Sequence, residues 1–520
     1  MPGDRAAGLV DPDPELVQLL PSPADAETLV LRNVHLVGYP STAPVDVVVD
    51  GGTVVSVDTL QVQDRSRQVV DLDGRHVMRG LWDHHVHFNL WALARRRLDV
   101  SPATSAAAAA TMVGTRLAEA PPASGQVLVG YGFRDATWAD RPSLAALDAV
   151  APETAVVLAS ADLHCYWLNS RAFGKFGLPR RDDGLLRENA MHPVSAALEE
   201  FTPATIDAWV NDAAADAAAL GVVGVVELEQ ASNVDAWSRR VAAGNTYLRV
   251  ACGVYEPGLQ GILDRGLRTG DVLPGTHGLV TMGPLKLITD GSLNTRTAYC
   301  CDPYPDLEGL ADSHGILVLP PDQLVPLMRR AAAAGLACAV HAIGDRANML
   351  ALDAFETVGC AGSIEHAQLL VPSDLERFAE LGIVASVQPA HALDDRDVAD
   401  RHWAGRTDRA FPYASLRNAG AMLRLGSDAP VAPLDPWVTI AAAVERTDDD
   451  RPSWHPEQEI PVEAALDAST QGRAAVQVGD VADLVVTDLD PTVASADVLR
   501  TMPVHGTLLE GRFTWLRDQP

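Results

Sequence analysis

Residues 76–87 read HVMRGLWDHHVH, an apolar run that closes on a cluster of histidines. A stretch of this length and texture reads as a strand. His85 and His87 stand at i and i+2, so on a strand both project to the same side, where two imidazoles can grip one cation. His84 projects to the opposite side and reads as packing. The fold depends on whether other apolar runs in the chain end in the same way.

Seven more do. GVVGVVE ends at Glu227, YLRVACGVY at Tyr255, GLVTMGPLK at Lys286 and GLACAVH at His341. GSIEH ends at His366, GIVASVQ at Gln388 and AMLRLGSD at Asp428. Between most of them lie alanine-rich amphipathic helices, for example 322–335, 346–358 and 372–381. Eight strands alternating with helices predict an α/β chain folded as a (β/α)8 TIM barrel. The interval from the first strand to the second is too long for one helix. It predicts an inserted subdomain over about 125–200, with QVLVGYGFRDATW and TAVVLASADLHCYWLNS as its strands.

Short β-branched runs flank the barrel on both sides. TLVLRNVHLV, VDVVVDGGTVVSVD and RQVVDLDG precede it, and VADLVVTDLD and VHGTLLEGRFTWL follow it. They predict a small composite β domain formed by both termini. The expected division is a flexible leader at 1–24, β-sandwich parts at 25–76 and 478–520, and the barrel over 77–477.

A chain of 520 residues that is 47% hydrophobic and 21% charged can bury a large core. Its net charge of −29 argues against nucleic acid and anionic membrane surfaces as partners. No run reaches the ~18 apolar residues of a spanning helix, and the N-terminus lacks the basic start and apolar core of a signal peptide. The six cysteines form no CxxC pair and no disulfide framework, so the cytoplasm is the expected compartment. A homodimer is compatible with this composition.

In a barrel the C-terminal ends of the strands converge on one face, where sites are built. His85, His87, His341, His366 and Asp428 would therefore meet, and four imidazoles with a carboxylate suit zinc, nickel, iron or manganese. Singly each has an ordinary reading: lone histidines such as His35, His277 and His505 are surface or core residues, and Ser427-Asp428 alone would be a turn or a cap. Together, on separate strand ends, they predict a metal site. Lys286 is the other unusual residue. Of 40 basic side chains only Lys175 and Lys286 are lysines, and Lys286 closes an apolar run just before Asp290-Gly291.

The chain resembles the amidohydrolase superfamily, in particular the YtcJ-like branch that includes N-substituted formamide deformylases. The matching pieces are GLWDHHVHF, LKLITDGSLNTRTA, AVHAIGDRA, IEHAQ, ASVQPAHA and GSDAPVAPLDP, with GYGFRDATW and DLHCYWLNSRAF in the insertion. They cover nearly the whole chain from about residue 28. The resemblance implies two divalent ions, zinc foremost. His85, His87 and Asp428 would hold one, His341 and His366 the other, and a carboxylated Lys286 would bridge them. A desolvated lysine amine can take up CO2 and become a carbamate, whereas an arginine stays protonated. The ordinary alternative is a lysine paired with Asp290. The chain departs from the family in the abbreviated STQGRAAVQVGDVADLVV, which lacks a Gly-Lys turn, and in Glu227, which could compete with Lys286 as the bridge.

The implied activity is hydrolysis of a C–N bond, amide or N-formyl, in a small molecule by hydroxide shared between the metals, with Asp428 as general base. An ester or lactone hydrolase or a deaminase on the same scaffold is the alternative, and a non-catalytic binding protein is the third reading. His164 in the insertion is a candidate for binding the substrate carbonyl. Arg296, Asp290, Gln388 and Glu227 are candidates for substrate contact. Arg296 and Arg346 could instead pair with Asp290 and Asp345, the preferred reading for Arg346, and a charge-paired structural role is preferred for Glu227.

Overall fold

In the computed structural model the stretch HVMRGLWDHHVH is two strands that serve two different domains. Residues His76–Arg79 join a β sheet outside the barrel, and β1 (Leu81–Val86) is the first strand of the barrel. The break falls at Gly80, where a Cβ would meet Val223 at 2.2 Å. The domains pass into one another at this close approach, and the β-domain part expected over 25–76 runs on to Arg79. The structure describes residues 28–517 except 40–42, 59–67, 124, 136–137, 162–164, 199–200 and 306. The leader expected at 1–24 lies outside the described residues.

Seven further strands complete the barrel. They are β2 (Val222–Glu227), β3 (Arg249–Val254), β4 (Val280–Ile288), β5 (Cys338–Ala342), β6 (Gly362–His366), β7 (Val384–Val387) and β8 (Met422–Leu425). Each pairs in parallel with its neighbour in chain order. Just past the end of β8 the ring closes: the Asp428 amide donates to His85 O at 2.8 Å, and the His87 amide donates to Ala429 O at 2.9 Å. Gly426 allows this approach, since a Cβ there would lie 2.7 Å from the His85 nitrogen. The architecture is a (β/α)8 TIM barrel, and strands covered on both faces explain the near-continuous apolar runs.

The helices form where apolar spacing and caps predict. Pro203–Ala219 buries Val210, Ala213, Ala214, Ala217 and Ala218 on one face, and the Thr202 side chain accepts from the Thr205 amide at its start. The expected helices are found at Pro321–Ala333, Asp345–Val358 and Leu375–Leu381.

The insertion is a five-stranded sheet ordered Leu185–Arg187, Cys165–Leu168, Ala155–Ser160, Val127–Phe133 and Leu98–Asp99. Strand Ala155–Ser160 is buried throughout because both faces are covered. Val156 and Leu158 enter one apolar cluster, and Val157 and Ala159 enter the other. The subdomain takes in more chain than 125–200, because Leu98–Asp99 and helix Ala106–Glu119 belong to it.

The terminal β domain is a single path of strands: 512–516, 504–509, 484–487, 76–79, 29–36, 45–50 and 53–58, with 68–71 also beside 29–36. Both ends of the path feed one core, in which Leu31, Val47 and Val54 pack with Leu484, Leu508 and Phe513. The sheet thus folds over on itself, and Gly511 meets the 50–53 turn. Among the described residues no helix is long and apolar enough to cross a membrane.

Candidate metal centre

β1 delivers its two histidines to the barrel mouth through a fixed backbone. Asp83 Oδ1 accepts the His85 amide at 3.1 Å and the Ser427 amide at 2.9 Å, which ties β1 to the chain leaving β8. His84 turns the other way and hydrogen-bonds Leu425 O through Nδ1 at 3.0 Å, a structural use in line with packing. His85 is 1% exposed. Its Nδ1–H donates to Glu365 Oε2 at 2.7 Å, so Nε2 is left to face Asp428 Oδ1 at 3.4 Å. His87 Nε2 lies 3.2 Å from the same oxygen.

Asp428 sits in the left-handed region at φ 57°, which an aspartate tolerates better than most residues. Its Oδ2 faces His366 Nδ1 at 4.0 Å and His391 Nε2 at 3.9 Å. Burial would raise its pKa, but the surrounding His85, His87 and His366 hold it well below the usual carboxylate range. His366, at the end of β6, has φ 76°, which carries its ring toward the site. Its Nδ1 donates to Gln388 Oε1 at 2.8 Å, leaving Nε2. His341 on β5 donates through Nε2 to Gly291 O at 3.3 Å, leaving Nδ1. The His341 and His366 rings are 4.5 Å apart, and those of His85 and His366 are 4.9 Å apart.

Burial is the first cause that keeps three of these imidazoles neutral, with the charge on Lys286 adding to it. His341 is pushed down to about 3, His366 well below its usual value, and His85 also downward. His87 differs: burial, the largest single influence, opposes its protonation, but the hydrogen bond to Asp428 and the charges of Asp428 and Glu229 together outweigh it and raise its pKa. Ligand atoms of His85, His366 and Asp428 lie within 4.8 Å of one another. Neutral imidazoles, each with one nitrogen anchored and the other free, and an ionised aspartate are the donor set that a divalent ion such as zinc requires. These residues fit a metal.

Lys286 points from β4 into the same space. It is 3% exposed, and its Nζ has no hydrogen-bond partner. Burial lowers its pKa against the pull of Glu365 and Asp428. The pairing with Asp290 does not occur. Asp290 Oδ1 accepts the Ile343 amide at 3.0 Å, and Oδ2 accepts the Gly344 and Tyr299 amides at 2.9 and 2.8 Å. Burial pushes this carboxyl up to about 7. Asp290 is thus a backbone clamp between the loops after β4 and β5.

Three other expectations need correcting. Glu227 is buried, and among the described residues no cation forms an ion pair with it. Its Oε1 accepts the Phe88 and Glu229 amides at 3.1 and 3.0 Å, and Oε2 accepts Trp237 Nε1–H at 3.0 Å, so it shapes the loop after β1 rather than touching substrate or bridging metals. Gln388 is spent on orienting His366. Asp345 pairs with Arg409 at 2.8 Å, while Arg346 stacks over the Tyr299 ring at 5.5 Å. Arg296 has φ 59° and is half-buried, with no side-chain partner among the described residues. His164 lies outside the described residues.

Glu365 and His391 belong to the centre and were not legible as such. Glu365 sits in register with His341 and Ser386, on the inward wall of the barrel. Burial opposes its ionisation, but the hydrogen bond from His85 first, and then the charge of Lys286, draw its pKa down to about 2. The signal available was its place beside His366 in GSIEH, but strict alternation sends neighbours to opposite faces. His391 lies on helix Pro389–Asp394, directly after β7, and is 6% exposed. Its signal was the PAH triplet following Gln388.

Residues 68–515 match the amidohydrolase family model. The chain is 30% identical over 444 residues to the protein LONG AFTER FAR-RED 3 of Arabidopsis thaliana, covering 77% of this chain and 74% of that one. It is 25% identical over 538 residues to the N-substituted formamide deformylase of Arthrobacter pascens, covering 93% and 97%. In fold it resembles an uncharacterized metal-dependent hydrolase from Pyrococcus horikoshii OT3, with a TM-score of 0.74 at 24% identity over 90% of this chain and 99% of the other. With a family model spanning most of its length, the chain belongs to the amidohydrolase family.

Proposed function

We propose that this protein is a metal-dependent hydrolase that opens the C–N bond of a small amide or N-formyl compound. The observation that carries the reading is the convergence of His85, His87, His341, His366 and Asp428 around a buried lysine whose Nζ has no partner. The N-substituted formamide deformylase, matched over 97% of its length, supports the choice of bond. In this reading His85, His87 and Asp428 hold one divalent cation, zinc foremost, and His341 and His366 a second. Lys286, as a carbamate, would offer a carboxylate to both. Bound cations of this kind polarise a carbonyl and lower the pKa of water.

The remaining work falls to the chain itself. Asp428, held ionised, accepts the proton of the attacking water and returns it to the departing nitrogen. Glu365 and Gln388 fix the ring orientation of His85 and His366, so each presents a chosen nitrogen. Free cysteines throughout the described residues suit a reducing compartment, which supports a cytoplasmic small-molecule enzyme.

The test is turnover of a panel of N-formyl amines, simple amides and lactones, before and after chelation and after zinc is restored. Cleavage of N-formyl amines that vanishes with chelator and returns with metal is the expected result. Turnover confined to lactones would reject the C–N assignment. Asp428→Asn keeps the shape and one coordinating oxygen but cannot accept the proton. Its rate should fall by ~10²–10⁴ with smaller loss of metal, and a near-normal rate would move the base elsewhere.

A further inference from the structure

His391 is a buried histidine at the barrel mouth for which the proposed mechanism has no task. Its ring stacks on His366, with centroids 6.2 Å apart and planes at 13°. The Gln368 amide nitrogen lies 3.5 Å from Nδ1. Nε2 is buried without a hydrogen-bond partner, and Asp428 Oδ2 at 3.9 Å is beyond hydrogen-bonding range. A buried polar atom left unpaired costs roughly 1–3 kcal/mol, so native structures rarely keep one without a use. The facing group also decides which nitrogen carries the proton. A lone pair on Nε2 would face the lone pairs of the Asp428 carboxylate oxygen, whereas an N–H is attracted to them. Contact with the Gln368 amide nitrogen at Nδ1 agrees with this tautomer.

We propose that His391 is a catalytic residue whose Nε2–H donates a hydrogen bond to the substrate carbonyl oxygen as that oxygen gathers negative charge. The donor stands beside the carboxylate assigned to the attacking water, on a helix fixed directly to the end of β7. This is where a preorganised oxyanion donor acts best. No bond to His391 forms or breaks. The inference rests on hydrolysis at this site but not on which bond is cleaved.

Two substitutions separate donation from packing. His391→Asn keeps an N–H donor and loses the ring, whereas His391→Phe keeps a ring to stack on His366 and loses the donor. Turnover of N-formylbenzylamine and of p-nitrophenyl formate is measured for each zinc-loaded protein, alongside its zinc content. Loss of one such donor typically lowers kcat ~10²–10³-fold. The expected result is a loss of that size in His391→Phe on both substrates, a smaller loss in His391→Asn, and wild-type zinc content in each. Phe matching or exceeding Asn would make His391 a packing residue and overturn the proposal. A loss confined to the formamide would do so as well, because the activated ester needs no help at its leaving group and His391 would then protonate nitrogen. Loss of zinc along with rate would make it a support of the metal shell instead. Calorimetric binding of methylphosphonate, a tetrahedral anion, gives a reading independent of turnover. Wild type should bind it at least ~10-fold more tightly than His391→Phe, and equal affinities would overturn the donor role even if the wild type cleaved neither substrate.

Discussion

Lys286 is the residue on which two chemistries diverge. As a carbamate it supplies a long carboxylate, and as an ammonium it is a buried charge without a partner. Lys286→Arg should therefore be as damaging as Lys286→Ala, both leaving little activity. Lys286→Ala should recover part of it when a small carboxylic acid such as propionate is added. An arginine variant with near wild-type turnover, or no response to propionate, would remove the carbamate from the mechanism. Glu365 supports a second expectation. Its carboxylate fixes His85, and such outer partners typically alter metal affinity ~10–100-fold. Glu365→Gln should weaken zinc binding by that order in a competition titration with a chromophoric chelator, and an unchanged affinity would leave Glu365 a structural residue. The histidines were legible because imidazoles at the ends of apolar runs have few structural reasons to gather. Glu365 was not, since strand alternation cannot foresee that His366 adopts φ 76° and swings to the side its neighbour already faces. His391 was hidden because it follows β7 on a helix, outside any strand-end pattern.

At the scale of the element, the loop after β1 shows how a polar core residue can imitate a functional one. Glu227 ends an apolar strand, as the metal-site residues do, yet both its oxygens are consumed by N–H donors of the β1 loop, its own loop and Trp237. Sequence reports that a carboxylate ends β2 but not which neutral donors will meet it. Burial first, and then the Glu229 carboxylate, raise its pKa from 4.5 to about 7. An unfolded chain releases this proton near pH 4.5 while the folded chain keeps it to about pH 7. The contribution to stability is thus fully present below pH 4.5 and is lost as pH rises through 7. Glu227→Gln carries no such proton, though it sets an NH2 against a donor and should cost roughly 1–3 kcal/mol at low pH. Measured by urea unfolding at pH 5 and pH 8, the deficit of Glu227→Gln relative to wild type should shrink at the higher pH. A deficit that grows instead would mean that the three donors keep Glu227 ionised. The same limit explains why residues 76–87 read as one strand. Hydrophobic texture continues across Gly80, and only the crowding against Val223 reveals the junction.

At the scale of the molecule, the barrel is enclosed by chain from both directions. Strand His76–Arg79 pairs antiparallel with Leu484–Thr487, so the β domain closes only when the two ends of the barrel segment are brought together. Across the mouth, the insertion docks on the loops after β7 and β8, where Tyr131 Oη donates to Pro430 O and Arg134 pairs with Asp394. The barrel count and the terminal pairing were legible from strand spacing, but this docking was not, because it rests on contacts between segments hundreds of residues apart. The architecture makes metal binding a global stabiliser. The residues proposed as ligands come from β1, β4, β5, β6 and the chain after β8, and an unfolded chain cannot assemble them. A cation that binds only the folded state, held at about 100 times its Kd, adds roughly 2.7 kcal/mol per site. Chelation should accordingly lower the Tm of the whole barrel by several degrees, and zinc should restore it in step with activity. His85→Ala and His341→Ala should remain folded, lose activity, and show most of that Tm loss without chelator, since each removes a ligand but little packing. Elemental analysis of the zinc-loaded protein should reach two equivalents. A plateau at one equivalent, with the same Tm in wild type and His341→Ala, would leave a single cation held by His85, His87 and Asp428 and would take from Lys286 its place between two.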